Sequence, residues 1–147
     1  MKSKSKEGES IKEVNLYIET SSTAFQKKER RCGYVLEYIK RNTPITREGF
    51  RTGKGTYNQE VLRTLTEALK RMREPCEICI YSRNQFVLCA IRDKMGIWAR
   101  EDFKEIKNRE DWKDLWEVIQ EHEISVEVGK HAYSDWILRE MEEENEK

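Results

Sequence analysis

At 147 residues, 37% hydrophobic and 10% aromatic, the chain can bury one real core but is too short for two ordinary domains. Its 28 basic and 28 acidic residues cancel, so no global field draws it to nucleic acid or to an acidic membrane, and any such binding has to come from a local patch. The polar, lysine-containing start from Met1 to Ser10 and the lack of any long apolar run exclude a secretory signal and a membrane span, which leads us to expect a soluble, cytoplasmic protein.

In chain order, residues 1–12 read as a disordered tail, 13–141 as a single domain and 142–147 as an acidic tail. Val14-Asn15-Leu16-Tyr17-Ile18 reads as a strand and Cys32 to Ile39 as a second, joined by a polar connection from Thr20 to Arg31 that carries no helical stripe. Pro44 to Thr52 is a third, more exposed strand, so the chain opens as an antiparallel meander. From Tyr57 the period changes: Val61, Leu62, Leu65, Ala68, Leu69 and Met72 share one helical face, while Glu60, Arg63, Glu67, Lys70 and Arg71 lie off it. Pro75 closes that helix, Ile78 to Tyr81 is short enough for a buried parallel strand, and Ser82 and Asn84 can cap a short helix through Phe86, Val87, Ala90 and Ile91. Asp93 to Lys107 has no assignable pattern. Asn108 is placed to cap a helix with Trp112, Leu115, Trp116 and Ile119 on its apolar face; Ile124, Val126 and Val128 alternate as a last strand; and Ser134 is placed to cap a final helix bearing Trp136, Ile137 and Met141.

Cys76-x-x-Cys79 invites a metal or redox reading, which its context does not support. Zinc needs a second ligand pair, and His122 and His131 lack the spacing. A redox pair of the thioredoxin type opens a helix, whereas this one leads into a strand. The four cysteines therefore read as buried or incidental thiols of a reducing compartment.

The order βββαβα, then helix, strand and helix, together with local wording, resembles the ribonuclease H family. The wording is Tyr17-Ile18-Glu19-Thr20-Ser21, Thr56-Tyr57-Asn58-Gln59 through Glu67-Ala68-Leu69, Ile80 to Val87, Ile106 to Trp112, and Val128-Gly129-Lys130-His131. The resemblance spans about Val14 to Met141. It implies an α/β, ribonuclease H-like fold: a five-stranded mixed sheet, three antiparallel strands and then parallel ones, flanked by helices. It also implies cleavage of the RNA strand of RNA–DNA hybrids by four carboxylates and Mg²⁺. On that resemblance the first carboxylate falls on Glu19 and the last on Asp135, and these two are expected to meet. The second falls on Val61, with Glu60 one residue away and turned by about 100°, so Glu60 reads as an exposed helix residue unless the helix start is irregular. The third falls on Arg83, which inverts the charge.

Arginine has no acceptor and stays protonated, so it cannot ligate Mg²⁺. With Glu19 and Asp135 flanking it, the Arg83 guanidinium would stand where the metals stood. The resemblance further implies a product-release role for His131 and a nucleic-acid-facing role for Asn58, Ser82, Asn84 and Lys130. Bland readings stand beside these: Asp135 as a first-turn acid favoured by the helix dipole, His131 as a surface residue, Trp98 as either a stacking or a packing residue. The expectation is a ribonuclease H-like domain with a degenerate site, without a cofactor, that binds nucleic acid of the RNA–DNA hybrid type or a protein partner but no membrane. The alternative is an active Mg²⁺- or Mn²⁺-dependent ribonuclease H using Glu19, Glu60 and Asp135.

Overall fold

Five strands form one mixed sheet in the computed structural model, which describes residues 5, 6 and 9–145. They are β1 (Lys12–Thr20), β2 (Arg30–Lys40), β3 (Thr43–Gly53), β4 (Cys76–Ser82) and β5 (Glu123–Val128). Helices α1 (Tyr57–Leu69), α2 (Gln85–Asp93), α3 (Met95–Arg100), α4 (Arg109–Ile119) and α5 (Ser134–Asn145) complete the chain. The strand order is β3-β2-β1-β4-β5, with β3, β2 and β1 antiparallel and β1, β4 and β5 parallel. This is the expected ribonuclease H-like sheet. Within the stretch read as a tail, Ser5–Lys6 pairs with Glu9–Ser10; residues 1–4 and 7–8 of that tail, and 146–147 of the acidic one, lie outside the described residues.

Alternation along β1 assigns its two faces. Val14, Leu16 and Ile18 point into the main core beneath α1, α2 and α4, whereas Tyr17 joins Val35, Ile137 and Met141 in a smaller core beneath α5. Glu19 continues the α5 side. Gly33, opposite Glu19 in the register, lets α5 approach: a Cβ there would lie 2.7 Å from both Ile137 Cγ2 and the Phe50 ring. Helix α1 starts with the Thr56–Gln59 capping box, Gln59 N donating to Thr56 Oγ1 at 3.2 Å and Thr56 N to Gln59 Oε1 at 3.0 Å.

The connection between β1 and β2 is organised by Arg30, a buried residue inside a stretch that reads as a polar loop. Its guanidinium donates to the carbonyls of Ser22 at 2.8 Å, Ala24 at 2.9 Å and Gln26 at 2.7 Å, satisfying a polar loop from inside. The unassigned stretch after α2 contains α3 and then a turn in which Asp102, Phe103 and Glu105 take left-handed φ values of 57°, 57° and 61°. No period reports such a turn, yet it buries Phe103. Trp98 packs edge-on against Trp112 with centroids 5.3 Å apart, so it is a packing residue. Asn108 stands at the start of α4 but its side chain makes no cap; it is left-handed, with φ 63°. His122 accepts from Cys76 N through Nδ1 at 3.0 Å and so ties the end of α4 to the start of β4. All four cysteines are free thiols.

Candidate active site

Glu19 lies at the C-terminal end of β1, 4% exposed, and three donors converge on its Oε2. Arg83 Nε is 3.1 Å away and His131 Nε2 is 3.3 Å away, and the Ser134 hydroxyl makes a short hydrogen bond to it. Arg83 reaches Glu19 because its neighbours fix the turn after β4. Ser82 Oγ accepts from Asn84 N at 3.0 Å, Asn84 Oδ1 caps Val87 N at 2.8 Å, and Asn84 Nδ2 donates to Asn58 Oδ1 at 2.9 Å. With Ser82 and Asn84 both buried, the side chain between them projects over the end of the sheet. Asn58, Ser82 and Asn84, taken above as nucleic-acid-facing, are thus employed in joining α1 to the β4–α2 turn.

His131 is locked. Its Nδ1 accepts from Tyr133 N at 3.2 Å, which assigns the ring proton to Nε2, and Nε2 points at Ile18 O, 2.9 Å away, and at Glu19. Its side chain is buried against Tyr17, with ring centroids 5.0 Å apart. This corrects the surface reading: the His131 side chain is buried, with Nε2 against Glu19 Oε2. Burial pushes the His131 imidazole below the usual histidine range, against the pull of the Ile18 carbonyl and Glu19, and burial does the same to His122. A histidine depressed in the fold stabilises it above the unfolded pKa of about 6.5, and that stability is lost as pH falls from there through the folded value. The urea midpoint is therefore expected to drop between pH 7.5 and pH 5.5. Equal midpoints would show that neither ring resists protonation in the fold.

The expected meeting of Glu19 with Asp135 is corrected. The α5 residue that touches Glu19 is Ser134; Asp135, rotated by about 100° on the helix, has its side chain 74% exposed, with Lys130 Nζ 3.4 Å away as its ionic partner. Ser134 also accepts from His131 N at 2.9 Å, so its hydroxyl joins the loop to Glu19 where a cap was expected. Its signal was its place one residue before an acid at a helix start, which reads equally as a cap. Lys130, whose side chain is 63% exposed, remains free to face a ligand beyond its contact with Asp135.

Glu60 is corrected as well. It is completely buried, held by Arg51 Nη1 at 2.6 Å, Gly55 N at 2.8 Å and Arg63 Nη1 at 3.0 Å, and a Cβ on Gly53 would collide with it at 1.9 Å. Arg63 continues to Asp111 on α4 at 2.8 Å. Burial pushes the Glu60 carboxyl up, but Arg51, the Gly55 amide and Arg63 outweigh it, and the net shift is downward. Val61 is fully buried in the core. Beside Arg83 opens a cleft of about 760 Å³ whose lining includes Phe25, Tyr57, Phe86 and Lys94; Phe25 and Phe86 are exposed large apolar side chains.

Residues 11–133 match the family model described as RNase H. The chain belongs to the ribonuclease H family. Among curated relatives, a Ribonuclease HI of Helicobacter pylori is 41% identical over 69 residues, 47% of this chain and 48% of that protein. A Ribonuclease H of Campylobacter jejuni is 33% identical over 88 residues, 59% of this chain and 60% of that protein. The chain spans about half the length of the curated relatives it matches. Among solved structures, LC9-RNase H1, described as a type 1 RNase H with the type 2 active-site motif, matches with TM-score 0.72 at 14% identity, over 89% of this chain and 70% of that one. A foamy viral protease–reverse transcriptase in complex with RNA/DNA hybrid matches with TM-score 0.63 at 11% identity, over 87% of this chain and 18% of that one. These bear out the ribonuclease H fold.

The family's divalent cation has a poor set of ligands here. Every group that reaches Glu19 is a donor, and among the described residues no three His, Cys, Asp or Glu side chains gather to hold a metal. Mg²⁺ takes oxygen ligands, and a guanidinium nitrogen supplies none. The residues of this ribonuclease H domain do not fit the ion.

Proposed function

We propose that this ribonuclease H domain binds nucleic acid of the RNA–DNA hybrid type without cleaving it, its carboxylate cluster replaced by the Glu19–Arg83 pair. The observation that carries this reading is the Arg83 guanidinium on Glu19 Oε2, at the position where the resemblance places a third carboxylate. Phosphodiester hydrolysis by this family's route needs convergent anionic oxygens around metal, and a cation there repels metal while satisfying the one carboxylate that remains. Nucleic-acid binding is supported by the family and by the cleft beside Arg83. Exposed Phe25 and Phe86 offer stacking surfaces, and Arg83 and Lys94 offer charge to a phosphate backbone.

A second reading, a Mg²⁺- or Mn²⁺-dependent ribonuclease H cleaving the RNA strand of hybrids, rests on the names of the curated relatives. Anisotropy of a labelled RNA–DNA hybrid in EDTA, followed by a denaturing gel after Mg²⁺ or Mn²⁺ is added, separates the two. The proposal expects salt-dependent binding that needs no metal, and intact RNA. Cleavage that Glu19→Gln abolishes would establish the enzyme instead.

A further inference from the structure

A second basic groove lies at the opposite end of the sheet. Lys12, at the start of β1, is seven positions before Glu19, about 23 Å along an extended strand. There a concavity of about 700 Å³ opens between the β2–β3 hairpin and the end of α1, rimmed by Lys12, Arg47, Lys70, Arg71 and Arg73. All five are exposed, in a chain whose formal charge is zero. The two acids that share the lining are already engaged. Glu74 pairs with Lys12 at 2.9 Å, and Glu37 accepts from Asn15 Nδ2 at 3.1 Å, Tyr17 OH at 3.3 Å and Tyr133 OH at 2.8 Å.

Arg71 is prearranged for an anion. Its guanidinium carbon sits 5.8 Å from the Tyr34 ring centroid, and Nη1 donates to Tyr34 OH at 2.9 Å and to the Glu48 carbonyl at 3.1 Å. These contacts use Nη1 and hold the group against the Tyr34 ring, in an arginine that is exposed. Among the described residues no ion pair engages Lys70, Arg71 or Arg73. Cations without ion-pair partners, held in a concave wall with apolar Leu36, Ile45 and Met72, favour an anionic ligand there.

We infer that this groove is a second contact for the phosphodiester backbone of nucleic acid, separate from the Glu19 end of the sheet. The inference rests on the nucleic-acid reading above and adds a contact the family's carboxylate site does not contain. Five cations from β1, the β2–β3 hairpin and the end of α1 rim the groove, more than a single headgroup or free phosphate would engage, which favours a chain of phosphates.

The test measures affinity of a labelled RNA–DNA hybrid as a function of salt for the whole chain and for Lys70→Gln with Arg73→Gln. Each phosphate contact contributes close to one unit of the slope of log K against log[salt], so the double variant should lower the slope by about 2 and the affinity at moderate salt by about tenfold, with an unchanged thermal midpoint. Hybrid binding with unaltered slope and affinity in the variant overturns this groove and leaves the nucleic-acid reading standing. Failure of the wild type to bind any hybrid, single strand or duplex overturns both. Binding of phosphatidylserine vesicles in place of nucleic acid, or full displacement of the hybrid by millimolar inorganic phosphate, also overturns the assignment.

Discussion

Replacing Glu60 by alanine should lower the unfolding free energy by about 3–5 kcal/mol, the cost of breaking a buried ion pair from one side. The Gly55 amide would be left without its acceptor, and Arg51, with only 20% of its side chain exposed, would keep only Thr64 Oγ1 at 3.3 Å and Glu67 Oε1 at 3.4 Å. Arg63, 40% exposed and also held by Asp111, can turn to water, which places the loss towards the lower end of that range. Glu60→Gln keeps the shape and removes the charge, so it separates packing from electrostatics. Because the Glu60 carboxyl is depressed in the fold, its stabilisation is complete above the unfolded pKa of about 4.3 and is lost as pH falls through the folded value. The wild type should therefore lose its margin over Glu60→Gln on acidification below about pH 4. Urea titrations at pH 7 and pH 3 check this. A Glu60→Ala protein as stable as wild type would mean that this buried carboxylate holds nothing.

The second large effect concerns Arg83 and Ser134. Arg83→Asp removes the cation from Glu19 Oε2, and Ser134→Asp adds a carboxylate on the α5 residue that faces Glu19. Asp135 points to solvent and cannot serve, and Val61→Glu would bury a charge in the core, so neither is the route back to a metal site. In the double variant three carboxylates converge. Without metal their repulsion should destabilise the fold at pH 7. With Mn²⁺ at roughly a hundred times its Kd, about 2.7 kcal/mol should return. Thermal midpoints with and without Mn²⁺ read both changes, and a variant indifferent to Mn²⁺ would mean that the charge at position 83 does not decide metal binding.

Much of the architecture was legible in the sequence because period and order carry it. The alternation of Val14, Leu16 and Ile18 and the helical stripe from Val61 to Leu69 report burial directly. Glu19 and Arg83 were legible through the family resemblance, which placed each at the end of a buried strand. Residues whose environment is tertiary were not. Glu60 lies off the apolar stripe and reads as exposed, and it is buried only because Arg51 of β3 and the Gly55 amide fold over it. Ser134 and Asp135 are adjacent at a helix start, and one residue of rotation, invisible to composition, decides which faces Glu19. Arg30 and the left-handed turn at Asp102 and Phe103 rest on backbone geometry that has no period.

On the proposed reading, the Arg83 guanidinium stands against Glu19 in the place of the family's metal. Titration of the wild-type chain with Mn²⁺, followed by the electron paramagnetic resonance of the free ion with the Arg83→Asp, Ser134→Asp protein as the positive comparison, tests it most directly. The Glu19–Arg83 pair predicts that the free-ion signal rises in proportion to added Mn²⁺ in the wild type and is depleted stoichiometrically in the variant. Saturable depletion by the wild type, abolished by Glu19→Gln, would contradict it.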